Sequence, residues 1–118
     1  VAILALGSFY TLGQNVQEKL KSITGIEATL INPRFASGID EALLTQLLAN
    51  HQIIVTLEDG VLDGGFGEKI SRFYADKEIK VLNYGATKEF TDCEDINLLY
   101  ERYRLREDLI VEDIKRLL

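Results

Sequence analysis

The chain predicts an α/β fold, a three-layer α/β/α sandwich with a mostly parallel sheet. Three observations carry that prediction. Short apolar, β-rich runs alternate with amphipathic stretches from one end of the 118 residues to the other. The opening run Val1–Leu6 is apolar without alternation, as expected of a strand covered on both faces. The run Ile53–Leu57 passes through Glu58 and Asp59 into Gly64-Gly65-Phe66-Gly67, a strand–turn–helix junction. Repeated β-α-β units of this kind require parallel strands joined by right-handed crossovers.

Each element follows from its own residues. Gly7-Ser8 ends the first strand, with Ser8 as the expected N-cap of a helix. Leu12, Val16 and Leu20 fall on one face of that helix, and Gly25 stops it. Ile26–Ile31 is the second strand. Pro33 prevents its simple continuation. Asp40 is the expected N-cap of a second helix, whose inner stripe is Leu43, Leu44, Leu47 and Leu48. After the third strand, Phe66, Ile70, Phe73 and Tyr74 recur at helical spacing. Ile79–Tyr84 is the fourth strand. Beyond Gly85, residues 86–95 read as a surface loop. Two short helices close the chain, one carrying Ile96, Leu99, Tyr100 and Tyr103, the other Ile110, Ile114, Leu117 and Leu118. The expected core includes Ile3, Ala5, Leu30, Ile54, Val55 and Val81.

Composition excludes several functional classes. Lys and Arg number 13 against 19 Asp and Glu, a net charge of -6, and 47% of residues are hydrophobic. Nucleic-acid binding depends on neutralising phosphates with cations, so no nucleic-acid partner is expected. The only basic cluster, Arg102, Arg104 and Arg106, reads as solvated surface. No apolar run reaches the roughly 20 residues of a membrane span. The single cysteine, Cys93, cannot form an internal disulfide and suits a reducing cytosol, so the expected location is cytoplasmic. The chain opens directly in a strand without an initiating Met, and it reads as one domain of a longer polypeptide.

The candidate site residues are Arg34, Glu58, Gly64, Gly65 and Gly67. The glycine turn fails the dinucleotide fingerprint, because Ile70 stands where the third glycine belongs. It also lacks the Gly-Lys-Ser/Thr of a phosphate loop. It serves either close packing of backbone or, through the N–H groups of the helix that follows, an anion. Packing is the reading taken. Glu58 and Asp59 point to opposite faces of their strand and do not form an acid–base pair. Glu58 reads as a structural or interface carboxylate that accepts backbone N–H groups. Arg34, in Asn32-Pro33-Arg34-Phe35, suits either a bound carboxylate or phosphate, or an ion pair with Glu58 across neighbouring strand ends. His51 reads as a capping or surface residue, since no further metal ligands gather near it.

Several of these segments together resemble the C-terminal domain of the 1-deoxy-D-xylulose-5-phosphate synthase family, within the transketolase superfamily. Val1–Ser8 is similar to the opening strand and Gly-Ser turn of that domain. Asn32-Pro33-Arg34-Phe35 with Ile39-Asp40 resembles its Arg-Phe-x-x-Pro-Leu-Asp segment. Val55-Thr56-Leu57-Glu58 with Gly64-Gly65-Phe66-Gly67 matches its most specific signature, and Val81–Gly85 with Phe90 follows the pattern after the fourth strand.

The resemblance implies a homodimeric transferase that condenses pyruvate with glyceraldehyde 3-phosphate. Its thiamine diphosphate and Mg²⁺ would lie between the two other domains of the same chain. The domain read here would serve assembly and dimerisation, with no catalytic, cofactor-binding or metal residue of its own. The family's sheet has five strands, so one edge strand is expected beyond the four runs above. Departures occur at Ser37-Gly38 for Lys-Pro, at Asp63, at Thr87 for Pro, at Cys93-Glu94 for His-Gly, and at Arg104 for Gly. They leave the substrate open. A related transketolase-like enzyme, the β subunit of a pyruvate-dehydrogenase-type enzyme and a free-standing anion-binding α/β module remain the alternatives.

Overall fold

Ala2–Ala5, apolar at every position, lies at the centre of the sheet with both faces covered. The computed structural model describes residues 1–32, 41–61, 65–86 and 104–118. Within them, β1 (Ala2–Ala5), β2 (Thr29–Ile31), β3 (Ile53–Val61) and β4 (Lys80–Ala86) form one sheet in the order β2-β1-β3-β4. All three pairings are parallel. Ile3 lies opposite Leu30 on one side and Val55 on the other.

Among the described residues four helices cover the sheet: α1 (Tyr10–Thr24), α2 (Glu41–Asn50), α3 (Phe66–Tyr74) and α4 (Glu107–Leu117). Side chains alternate across a strand, so each strand feeds two separate cores. Ile3, Ala5, Ile53, Val55 and Leu57 pack with Val16 and Leu20 of α1 and with Ile110, Val111 and Ile114 of α4. Ala2, Leu4 and Ile54 pack with Leu44 and Leu47 of α2 and with Phe66, Ile70 and Tyr74 of α3. The molecule is therefore a three-layer α/β/α sandwich with a parallel sheet. Of the expected core, Ile3, Ala5, Ile54 and Val55 are fully buried. Leu30 and Val81 are only half-buried. They sit on β2 and β4, the outer strands among the described residues.

Local differences from the sequence reading have physical causes. Ser8 is not an N-cap. It lies inside a 3-10 turn over Gly7–Phe9, and Phe9 precedes α1 with no side-chain cap. Gly7 enters that turn at φ 59, a left-handed value that suits glycine. The second strand is shorter than its apolar run, starting at Thr29 instead of Ile26. Gly25 (φ 78) closes α1, its N–H reaching the Lys21 carbonyl, and the chain needs several residues to rejoin the sheet. The third strand is longer than expected. It continues through Glu58, Asp59 and Gly60 to Val61, with its pairing to β4 shifting register between Leu57 and Val61. The last helix carries Ile110 and Ile114 inward as read, but Leu118 lies beyond its end and is 57% exposed. Ala86, expected in the loop at 86–95, instead ends β4; the rest of that loop, Arg34, Asp40, Gly64, Cys93 and the helix expected around Ile96–Tyr103 lie outside the described residues.

Candidate functional site

The carboxyl ends of β1 and β3 form the natural place for a site. β1 leads to α1 on one face, while β3 leads to α3 on the other, so the connections diverge there. Open α/β sheets bind ligands at such a divergence. Glu58 sits at that end of β3, on the α3 face, and is only 4% exposed.

Its carboxylate is committed to the protein's own backbone. Oε1 accepts the Phe66 N–H at 3.2 Å, and Oε2 accepts the Gly67 N–H. These are the first two N–H groups of α3, which have no partner within the helix. The N-cap, Gly65, offers no side chain to receive them. Glu58 thus replaces the missing cap from a neighbouring strand and puts negative charge at the positive end of the helix. Burial pushes the carboxyl above its ordinary value, while the bonds from Gly67 and Phe66 oppose that shift without cancelling it.

Three further polar side chains lie beside it. Thr56 Oγ1, fully buried, donates to Asn83 Oδ1 at 2.6 Å, and Asn83 Nδ2 donates to Ser71 Oγ at 2.6 Å. The chain of bonds ties β3 to β4 and β4 to α3. Gly67 is the point where it meets Glu58. A Cβ at residue 67 would stand 2.7 Å from Thr56 Oγ1 and 2.8 Å from both Asn83 Oδ1 and Glu58 Oε2. Only glycine lets α3 approach this close. Gly65, by contrast, has φ -84 and ψ -173, extended backbone open to any residue, so it needs no positive-φ explanation.

Of the sequence candidates, the structure brings Glu58, Gly65 and Gly67 together. Arg34 and Gly64 lie outside the described residues. Thr56, Asn83 and Ser71 were missed by sequence reasoning, although the signal existed. Thr56 follows Ile53-Ile54-Val55 and Asn83 follows Val81-Leu82, in strands packed on both faces, where a polar side chain needs a partner. His51 joins elements away from this site. Its Nδ1 lies 3.0 Å from the Leu47 carbonyl of α2, and its Nε2 lies 2.8 Å from Thr29 Oγ1 of β2. Among the described residues no three His, Cys, Asp or Glu side chains gather as a metal site would require.

Residues 1–99 match the family described as transketolase, C-terminal domain. The chain belongs to the transketolase C-terminal domain family. It is 39% identical, over 98% of its length, to a 1-deoxy-D-xylulose-5-phosphate synthase of Lachnoclostridium phytofermentans. It is 33% identical over its whole length to a protein of the same description from Clostridium tetani. The chain spans 19% of the length of each of these relatives. A solved structure titled "Split gene transketolase, inactive beta4 tetramer" superimposes on 98% of the chain with a TM-score of 0.82. At 23% identity, with 38% of that structure's chain covered, the likeness shows the same fold. Glu58 and Gly67 lie within the stretch that defines the family, whereas all of α4 lies beyond it.

Proposed function

We propose that the chain is the C-terminal domain of a 1-deoxy-D-xylulose-5-phosphate synthase and serves its assembly and dimerisation, not its chemistry. The parent enzyme would condense pyruvate with glyceraldehyde 3-phosphate, releasing CO2, in the cytoplasm. Similarity along the whole chain to relatives of that description supports the parentage. The state of Glu58 carries the architectural role. It is the buried carboxylate nearest the carboxyl ends of the central strands, and both of its oxygens are engaged by the backbone of α3. A group so held cannot readily accept a proton from a substrate or ligate a metal without uncapping the helix.

The same bonds argue against an anion-binding module. The two N–H groups that would hold a phosphate at the start of α3 already face a carboxylate, which would repel one. Thiamine diphosphate and Mg²⁺ do not fit the described residues either. The metal calls for oxygen ligands and the phosphates for N–H or cationic donors, and here the buried carboxylate and the leading N–H groups of α3 already satisfy each other. On this reading the cofactor is held by the other domains of the homodimer.

Steady-state kinetics of the full-length enzyme test the proposal. Glu58→Gln should lower thermal stability or the dimer's resistance to dilution. Assembled dimers should keep kcat and thiamine diphosphate affinity within roughly threefold of wild type, less than about 0.7 kcal/mol of transition-state stabilisation. A stable dimeric variant with kcat reduced a hundredfold would assign Glu58 to catalysis and overturn the proposal.

A further inference from the structure

Outside the site described above, the densest polar cluster among the described residues surrounds Asp113 on α4. Its carboxylate receives three hydrogen bonds from two distant parts of the chain. Tyr84 of β4 donates its hydroxyl to Oδ2 at 2.7 Å. Arg104 donates Nε to the same Oδ2 at 2.9 Å and Nη2 to Oδ1 at 2.9 Å, a two-pronged guanidinium–carboxylate pair. Arg104 Nη2 also reaches the Leu109 carbonyl in the first turn of α4. Arg116 approaches the same carboxylate at 3.8 Å, and Glu112 approaches Arg104 at 3.9 Å.

The backbone at Arg104 makes the cluster unusual. Its φ is 58, the only positive value at a non-glycine residue among those described. A side chain in this left-handed conformation is strained, and such strain persists only where surrounding contacts enforce it. Among the described residues, the side chain of Arg104 is held by Asp113 and by the Leu109 carbonyl. The turn at Arg104 leads through buried Leu105 into α4, whose Ile110, Val111 and Ile114 fill the core between α1 and the sheet.

We propose that Asp113 is a single-carboxylate latch that seats α4 on the sheet and holds Arg104 in its strained conformation. Tyr84 precedes residues 85–103 and Arg104 follows them, so one carboxylate ties together both ends of that stretch as well as the helix. Neutralising it releases all three at once. Tyr84 lies within the residues matched to the family, whereas Arg104 and Asp113 lie beyond them.

The strain provides a test that simple packing would not pass. Amide hydrogen exchange of α4 is measured on the full-length protein carrying this chain. Asp113→Asn should speed exchange at Ile110–Ile114 roughly tenfold, as a charge-assisted network is lost. Arg104→Gly in the wild-type background removes two of the three bonds to Asp113 and should speed exchange roughly fivefold, relief of the backbone keeping the effect below that of Asp113→Asn. In the Asp113→Asn background, where nothing holds residue 104 in that conformation, the same substitution should change exchange by less than about twofold. Tyr84→Phe, the mildest change, should speed exchange roughly threefold and serves if the Asn variant fails to fold. An Arg104→Gly effect of the same size and sign in both backgrounds would overturn the latch. So would unchanged exchange in Tyr84→Phe.

Discussion

At the scale of single residues, two glycines separate two reasons for being glycine. Gly67 lies in α3 without a positive φ, and what excludes a side chain is the trio of oxygens from Thr56, Asn83 and Glu58. Gly25 has φ 78 and nothing within 4 Å of where a Cβ would lie. Gly67→Ala should therefore cost about 1–3 kcal/mol through overpacking, and the fall in urea midpoint should come with an unchanged m-value. Gly25→Ala should cost about 1 kcal/mol, from backbone conformation alone. Gly25→Asn should recover part of that, since Asn tolerates the left-handed region. Equal losses for Ala and Asn at residue 25 would count against the conformational explanation. Arg104 presents the converse case. Its φ of 58 is a conformation that glycine adopts without strain, yet a long side chain occupies it.

Glu58 also makes a prediction about pH. Burial holds its folded-state value above the ordinary 4.5. For a carboxyl raised on folding, the stabilising contribution is complete below the unfolded value and is lost as pH rises through the folded value. Gln at the same position does not titrate. The melting temperature of wild type relative to Glu58→Gln should thus improve as pH falls from neutrality toward 4.5. Asp113 acts with the opposite sign. Burial pushes its carboxyl upward, but the bonds from Arg104 and Tyr84 and the charges of Arg104 and Arg116 outweigh that and leave it below the ordinary range. Its contribution is present above 3.8 and fades as pH drops through the lowered value. A wild-type advantage over Glu58→Gln that shrank between neutrality and 4.5 would contradict the raised value for Glu58.

At the scale of elements, legibility followed how local each cause is. The four strands and the inner stripes of α1, α2, α3 and α4 were readable, because hydrophobic period is written in neighbouring residues. Gly25 was readable as a helix stop for the same reason. The start of α1 was not. Ser8 looked like a cap in sequence, yet the chain spends Gly7–Phe9 on a 3-10 turn, with the Leu6 N–H bonded to the Leu57 carbonyl of β3 and the Phe9 N–H to the Leu6 carbonyl. The length of β3 was equally hidden, since its extension to Val61 depends on β4 lying alongside.

The start of α3 shows the limit most clearly. The sequence pointed to Glu58 and to the glycines separately. That this carboxylate is the cap of the helix depends on a contact across 8 or 9 residues in a folded junction. Arg104 is 39% exposed, in keeping with a surface reading, but its pairing with Asp113 was not legible because that partner lies on the next element and carries no motif.

At the scale of the whole molecule, the sheet separates two cores that share no helix among the described residues. One is built with α1 and α4, the other with α2 and α3. The polar network of Thr56, Asn83, Ser71 and Glu58 belongs to the second face, and the Asp113 latch joins β4 to the first. Every described hydrogen bond of Glu58 and Asp113 runs inward, to other parts of the same chain. Among the described residues no buried side-chain nitrogen or oxygen lacks a partner. The net charge of -6 adds a general repulsion toward diphosphates.

Residues 1–118, produced alone, should therefore give no heat of binding with thiamine diphosphate and Mg²⁺ in calorimetry. Millimolar phosphate should leave the melting temperature unchanged, whereas a true anion site would raise it by mass action. The full-length enzyme should bind the cofactor under the same conditions. Micromolar cofactor binding by the isolated residues would place cofactor recognition in this domain and refute the architectural role. A phosphate-dependent rise that vanishes in Gly67→Ala would instead restore the glycine turn as an anion site.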